Sequence, residues 1–292
     1  MKQTHHSEYL KLQSVFIKPT EQAFVSHEHL QAQWRELNYS SQPDYSKASE
    51  EYQIFEGSLR GAEIEICHFP LHAKTGIDSI YCRDASIATD FGMILCRMGK
   101  NGRIYEPEAQ KRAYMALNIP VLGEIKSPGT LEGGDVAWLD EKTLAVGHTY
   151  RTNPEGISQL KSMLEPLGII VLVAELPHYR GPSDVFHLMS ILSPVAKDLA
   201  VIYSPLMPIK FRNQLKELGF AFVEVPDDEF ESMGCNVLAI APKKCLMVEG
   251  NPKTHSALLE AGCEVIVYRG EEISVKGGGG PTCLTRPMLR SF

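Results

Sequence analysis

No stretch of this chain approaches the roughly 20 consecutive apolar residues needed to span a bilayer. Basic blocks are missing too: 29 Lys and Arg stand against 36 Asp and Glu, a formal charge of −7. Such a chain is a poor match for nucleic acid or for an anionic membrane surface, and a better one for a cationic substrate. The opening run MKQTHHSEYLKLQS lacks an apolar h-region and a small-residue cleavage site, so no secretory signal is expected. The cysteines Cys67, Cys82, Cys96, Cys235, Cys245, Cys263 and Cys283 are odd in number, scattered, and never spaced CxxC. That speaks against a disulfide framework and for a reduced, cytoplasmic compartment. HExxH is absent, and neither His5-His6 nor the His27, His29 pair has a cysteine nearby, so no metal and no cofactor are expected.

What is present is globular: 43% of residues are hydrophobic and 22% charged. Pro and Gly are spread evenly and no linker interrupts the chain, so residues 1–292 read as one domain. After a leading strand, Val15 to Ile17, comes a polar loop, then a helix starting near Asp44, where Ser and Asp supply an N-cap signature. Beyond it, short β-rich runs alternate with single amphipathic helices. Strands are expected at 62–67, 86–88, 92–96, 135–139, 143–147, 169–173, 199–202, 221–225, 237–241, 244–248 and 264–268, and helices at 107–117, 155–167, 208–218 and 252–261. In the second of these helices Ile157, Leu160, Met163, Leu164 and Leu167 fall on one face. The strands come in pairs between helices. That departs from a simple doubly wound parallel sheet and points to an α/β fold of small mixed sheets, each with one helix, repeated several times.

Four local patterns can carry chemistry. Gly277-Gly278-Gly279-Gly280 precedes Cys283 in GGGGPTCLT. The glycines strip side chains from the backbone and present the cysteine to whatever approaches; a hinge with a buried thiol is the alternative. In LEGGDV, Glu132 sits at the mouth of a glycine turn, placed to orient an imidazole or merely solvated. In SDVFHLMS, His187 is an isolated imidazole in an apolar run, either an acid–base group or a core histidine. In GIDSIYCRD, Asp78 and Asp84 are carboxylates six residues apart, suited to a planar cation or to two surface turns. Together they comprise a nucleophile, an acid–base group, an orienting acid and two anions left over to bind a cation.

These motifs, with HTYRTNPEG and VPDDE followed by CNVLAI, resemble the guanidine-modifying superfamily of arginine deiminases, dimethylarginine dimethylaminohydrolases and amidinotransferases. The length, RTNPEG and HLMS most resemble the dimethylarginine dimethylaminohydrolases. The resemblance covers residues from about 40 to the end and implies a five-bladed α/β-propeller (the pentein fold) of ββαβ-type modules around one axial site. It implies Cys283 as nucleophile, His187 as general acid/base and Glu132 as the carboxylate that orients it. It further implies Asp84 and Asp78 as guanidinium-binding carboxylates, and Arg97 and Arg151 as the hold on a substrate α-carboxylate. The implied reaction is hydrolysis of a C–N bond at the guanidine carbon of arginine or an N-methylated arginine. Transfer of the amidino group to an amine, hydrolysis of a ureido group, and a non-catalytic binding propeller are the alternatives. The partner is a small guanidino amino acid, and a homodimer is left open. Two positions depart from the pattern. Arg83 stands where dimethylarginine enzymes usually carry Glu, and Met189 where the deiminases carry Asp. The lid is expected from residues 18–42, where the resemblance is weakest.

Overall fold

A computed structural model describes residues 2–292 and contains five copies of one unit. In each, two strands form an antiparallel pair, a helix crosses over, and a third strand returns parallel to the second. One unit runs Ser86–Ile87, Met93–Leu95, helix Glu106–Ala116, Val121–Glu124. The next is Val136–Trp138, Thr143–His148, helix Pro154–Leu164, Ile170–Glu175. Then come Leu192–Ala196, Leu199–Ile202, helix Ile209–Glu217, Ala221–Glu224, and Leu238–Ala241, Lys244–Val248, helix Pro252–Glu260, Glu264–Tyr268. The fifth unit joins the two ends of the chain: Thr285–Pro287 pairs with Ser14–Ile17, and after helix Tyr45–Gly61 the strand Glu65–His68 completes it. A small extra sheet stacks Gln3–Thr4 and Lys11–Leu12 on either side of Arg290–Ser291. Five ββαβ units are what the five-bladed α/β-propeller requires. No helix among the described residues is long and apolar enough to cross a membrane.

The local chemistry explains most boundaries. Asp44 accepts a hydrogen bond from the Lys47 amide and starts its helix, as its N-cap signature implies. Asn153 does the same for Gly156, with Pro154 in the first turn. That helix buries Ile157, Leu160 and Leu164, whereas Leu167 falls past its end in a 3-10 turn and is exposed. The strand Leu192–Ala196 escapes a reading of the sequence because Pro194 interrupts it. It lies at a sheet edge, next to a bulge between Pro194 and Ala196, where a missing ladder N–H is tolerated. The 18–42 stretch is not all loop: it holds two short helices, Thr20–Ala23 and His27–Gln33. Four and seven residues are too few for a helical period to show.

Candidate active site

Each connection between units delivers one polar candidate side chain two to five residues ahead of the next unit's first strand. Asp84 precedes Ser86–Ile87, Glu132 precedes Val136–Trp138, and His187 precedes Leu192–Ala196. Asn236 precedes Leu238–Ala241, and Cys283 precedes Thr285–Pro287. All five are buried. Asp84, His187 and Cys283 line one narrow polar cavity with Asp78, Tyr81, Lys100, Arg103, Arg151 and the glycines 277–279.

The imidazole is the most constrained group. His187 Nε2 meets Glu132 Oε2 at 2.8 Å, leaving Nδ1 to face Asp84 Oδ1 across 4.0 Å. Glu132 is itself fixed, with Oε1 accepting from the Gly99 and Lys100 amides at 2.9 and 3.1 Å. Asp135 accepts from the Leu188 amide and the Thr149 and Thr152 hydroxyls, clamping the chain just after the histidine. Burial alone would lower the imidazole's affinity for its proton. The carboxylates of Asp135, Asp84 and Glu132 outweigh it and raise His187 to about 9. The same hydrogen bond and charge hold Glu132 well below the usual carboxylate range, despite burial that pushes the other way. Burial pushes Asp135 up to about 6.

The sulfur is held differently. Asn236 Nδ2 donates to Cys283 Sγ at 3.3 Å, while Asn236 Oδ1 accepts from the Thr282 amide and hydroxyl. Burial and the nearby Asp84 charge push the Cys283 thiol up to about 11, although the Asn236 contact opposes them. At neutral pH the empty site therefore holds a thiol and an imidazolium. The glycine run is sterically required: a Cβ at Gly279 would come within 2.6 Å of the Tyr81 ring and 3.1 Å of Cys283 Cβ.

The two aspartates are each tied to an internal cation. Asp84 Oδ2 accepts from Arg103, whose remaining donors go to both Glu106 oxygens and to the Tyr81 and Asp78 carbonyls. Asp84 Oδ1 is buried and has no hydrogen-bond partner. Asp78 Oδ2 accepts from Lys100 Nζ at 2.6 Å. Arg151 reaches Glu132 Oε1 at 3.6 Å and the Asp184 carbonyl at 3.4 Å, and its buried Nε is unpartnered. Arg97 does not join the group. It lies just past strand Met93–Leu95, exposed and donating to the Gly129 carbonyl. Lys100, Arg103 and Asn236 are the cavity residues that sequence reasoning missed. Asn236 had a usable signal, since it occupies the same place in its unit as Asp84 and Cys283 do in theirs. Lys100 and Arg103 lie in a turn with no repeat to mark them.

The family model for eukaryotic N,N dimethylarginine dimethylhydrolase matches residues 18–290. The chain belongs to the dimethylarginine dimethylaminohydrolase family. The Streptomyces coelicolor member is 30% identical over 209 residues, 71% of this chain and 73% of that protein. The Pseudomonas aeruginosa member is 25% identical over 248 residues, 85% and 91% of the two chains. A solved structure of the latter enzyme as a cysteine-to-serine mutant, complexed with citrulline, superposes with a TM-score of 0.77 at 22% identity, covering 95% of this chain and 99% of that one. The N-terminal domain of the cyanobacterial arginine dihydrolase ArgZ gives 0.78 at 18% identity, covering 94% and 97%. These superpositions establish the shared fold.

The dimethylarginine dimethylaminohydrolase pattern explains one further constraint. In this member a Cβ on Gly134 would lie 2.5 Å from both Asp84 Oδ1 and His187 Nδ1, at the point where the two groups face each other. Gly134→Ala is expected to push them apart and lower kcat/KM at least about tenfold, since sub-ångström misplacement of reacting groups is costly. Steady-state kinetics on a variant of native Tm tests this; unchanged kinetics would show the gap to be unimportant. Asp84, Glu132 and His187 also bring ligand-type atoms within 4.8 Å of one another, the spacing of a metal site. An imidazolium holding both protons has no lone pair to offer, so at neutral pH the trio is better suited to moving a proton.

Proposed function

We propose that this chain hydrolyses a C–N bond at the guanidine carbon of arginine or an N-methylated arginine, giving citrulline and ammonia or an amine. The observation that carries the reading is Asp84 Oδ1. It is a buried, unpartnered anionic oxygen facing His187 and sharing a cavity with Cys283. An orphaned carboxylate oxygen at such a point is best explained by a cationic N–H donor that arrives with the substrate.

Each step then uses a group already in place. The guanidinium donates to Asp84 Oδ1, and its charge lowers the cost of ionising Cys283, whose proton is released to solvent because His187 already carries both of its own. The thiolate attacks the guanidine carbon, forming the S–C bond. His187 gives its Nδ1 proton to the departing amine as the C–N bond breaks, leaving a covalent thiouronium. Water adds to that carbon, His187 takes its proton, and the C–S bond breaks to free the ureido product. Lys100 and Arg151 are the cations placed to hold the amino-acid carboxylate, with Asp78 beside them for the α-ammonium. Arg103 keeps Asp84 in register. Arg83, at the position where the family usually carries Glu, turns away to pair with Glu8, so guanidinium recognition falls to Asp84.

The test is a panel of arginine, mono- and dimethylarginine, agmatine and citrulline with products identified by mass. Citrulline from the arginines supports the reading, and no product from any of them overturns it. The pH profile follows from His187. The acid form is present below about 9 in the free enzyme, so kcat/KM is expected to fall as pH rises through about 9. The same group has its folded value raised, so it contributes stability below its ordinary 6.5 that is lost as pH passes through about 9. A kcat/KM that keeps climbing to pH 10 would remove His187 from the acid role.

A further inference from the structure

Cys283 and His187 border a second, wider cavity as well as the narrow polar one. It measures about 200 Å³ and is lined by neither Lys100 nor Arg103. Its lining is mixed, and Phe186, Met189, Phe230, Met233 and Val275 supply the apolar, soft part of it. Most of the charged groups at its rim are paired, Asp184 being the one without an ion-pair partner among the described residues. Arg180 pairs with Glu231 at 2.8 Å, and Lys276 pairs with Glu272 at 2.6 Å. The polar atoms closest to the chemistry are taken as well. Ser190 Oγ accepts from the His187 amide, and Asn236 Oδ1 accepts from Thr282. Beside Phe186, Met189, Phe230 and Met233 a bare guanidine N–H would lose its water without gaining an acceptor, Asp184 being the one open carboxylate of the cavity, whereas an alkyl group there would meet thioether and aromatic carbon.

We infer that the wider cavity is a subsite for an apolar substituent on the departing nitrogen, so that the enzyme accepts Nω-alkyl and Nω-aralkyl arginines with groups larger than methyl. This rests on the proposed hydrolysis. The amino-acid head lies on the Lys100 and Arg151 side, the guanidine carbon stands before Cys283, and the substituted nitrogen points past His187 into the second cavity. The bond broken is the one to that nitrogen, and the proton it gains comes from His187. In balance, the substituted argininium and one water give citrulline and an alkylammonium. The released amine leaves through the same opening, and the hold of Asp84 on the reacting carbon is undisturbed.

The experiment is a substrate series on the full-length protein: Nω-methyl-, Nω-propyl-, Nω-butyl- and Nω-benzyl-L-arginine, with citrulline and the free amine both measured. The expected result is a kcat/KM for the butyl compound at least equal to that for the methyl compound, rising by up to about fourfold per methylene that is fully buried. In Val275→Phe, which narrows the cavity, the butyl-to-methyl ratio is expected to fall at least tenfold. A butyl compound turned over tenfold or more slowly than the methyl compound by the native enzyme overturns the subsite while leaving the hydrolysis intact. So does a Val275→Phe variant with an unchanged ratio. Absence of citrulline from every member, methylated compound included, overturns the hydrolysis itself and the subsite with it.

Discussion

Replacing Cys283 with serine is expected to lower kcat by at least about 10³-fold, with folding and guanidine binding retained. The reason lies in the neighbouring imidazole as much as in the sulfur. A serine nucleophile needs a base to take its proton, and His187 is already protonated up to about 9. It is an acid waiting for a leaving group. A thiol can ionise when a guanidinium arrives beside it; a hydroxyl, many orders of magnitude less acidic, cannot. The variant keeps Asp84 and the Lys100 and Arg151 side of the cavity, so equilibrium binding of arginine should survive. Citrulline release, together with intact-protein mass after a slow substrate, makes the measurement. Native protein should show a covalent adduct and the serine variant none. Turnover within tenfold of native would remove sulfur from the chemistry.

Asp84→Asn should move two rates in opposite directions. The substitution removes the anion that meets the guanidinium, and kcat/KM for arginine or methylarginine is expected to fall about 10²–10³-fold, the scale of losing a buried charge-assisted contact. It also removes one of the charges that push the Cys283 thiol up. Alkylation of the empty enzyme at neutral pH should therefore become faster, though catalysis collapses. In the native enzyme a small guanidinium ion should accelerate alkylation by favouring the thiolate, and in the variant that acceleration should disappear. A merely structural Asp84 would slow both reactions or neither. Arg103 is left without one of its partners in the variant, so Tm is measured alongside.

The fold was legible because its unit is short and its punctuation regular. Paired β-rich runs with one amphipathic helix between them are visible in Thr143–His148, helix Pro154–Leu164 and Ile170–Glu175, and the unit they imply recurs five times. The strand carrying Pro194 was not legible, since edge position and a bulge are tertiary facts. At the site, Cys283, His187, Glu132, Asp84 and Asp78 stood out because glycine turns or apolar flanks isolate them, and the fold brings all five to the same end of the ring. Arg97 and Lys100 show the opposite. They lie three residues apart, and only the direction of each side chain decides which one reaches the cavity. Arg97 lies two residues past strand Met93–Leu95, exposed and donating to the Gly129 carbonyl, and the turn that follows carries Lys100 inward to Asp78. Nor does the sequence reveal that Asp84 spends one oxygen on Arg103 and keeps the other in reserve.

The seam where the two ends of the chain meet has a bearing on biosynthesis. Thr285–Pro287 lies against Ser14–Ile17, and Arg290 and Ser291 are threaded between Gln3–Thr4 and Lys11–Leu12. Cys283 stands two residues ahead of that stitch. A ribosome releases the anions and the imidazole before the sulfur, and the strand that follows the sulfur is fixed only when it pairs with Ser14–Ile17. On the proposed mechanism, the cation-binding groups can thus gather before the nucleophile joins them, and the pairing that closes the ring is also what brings the sulfur to them.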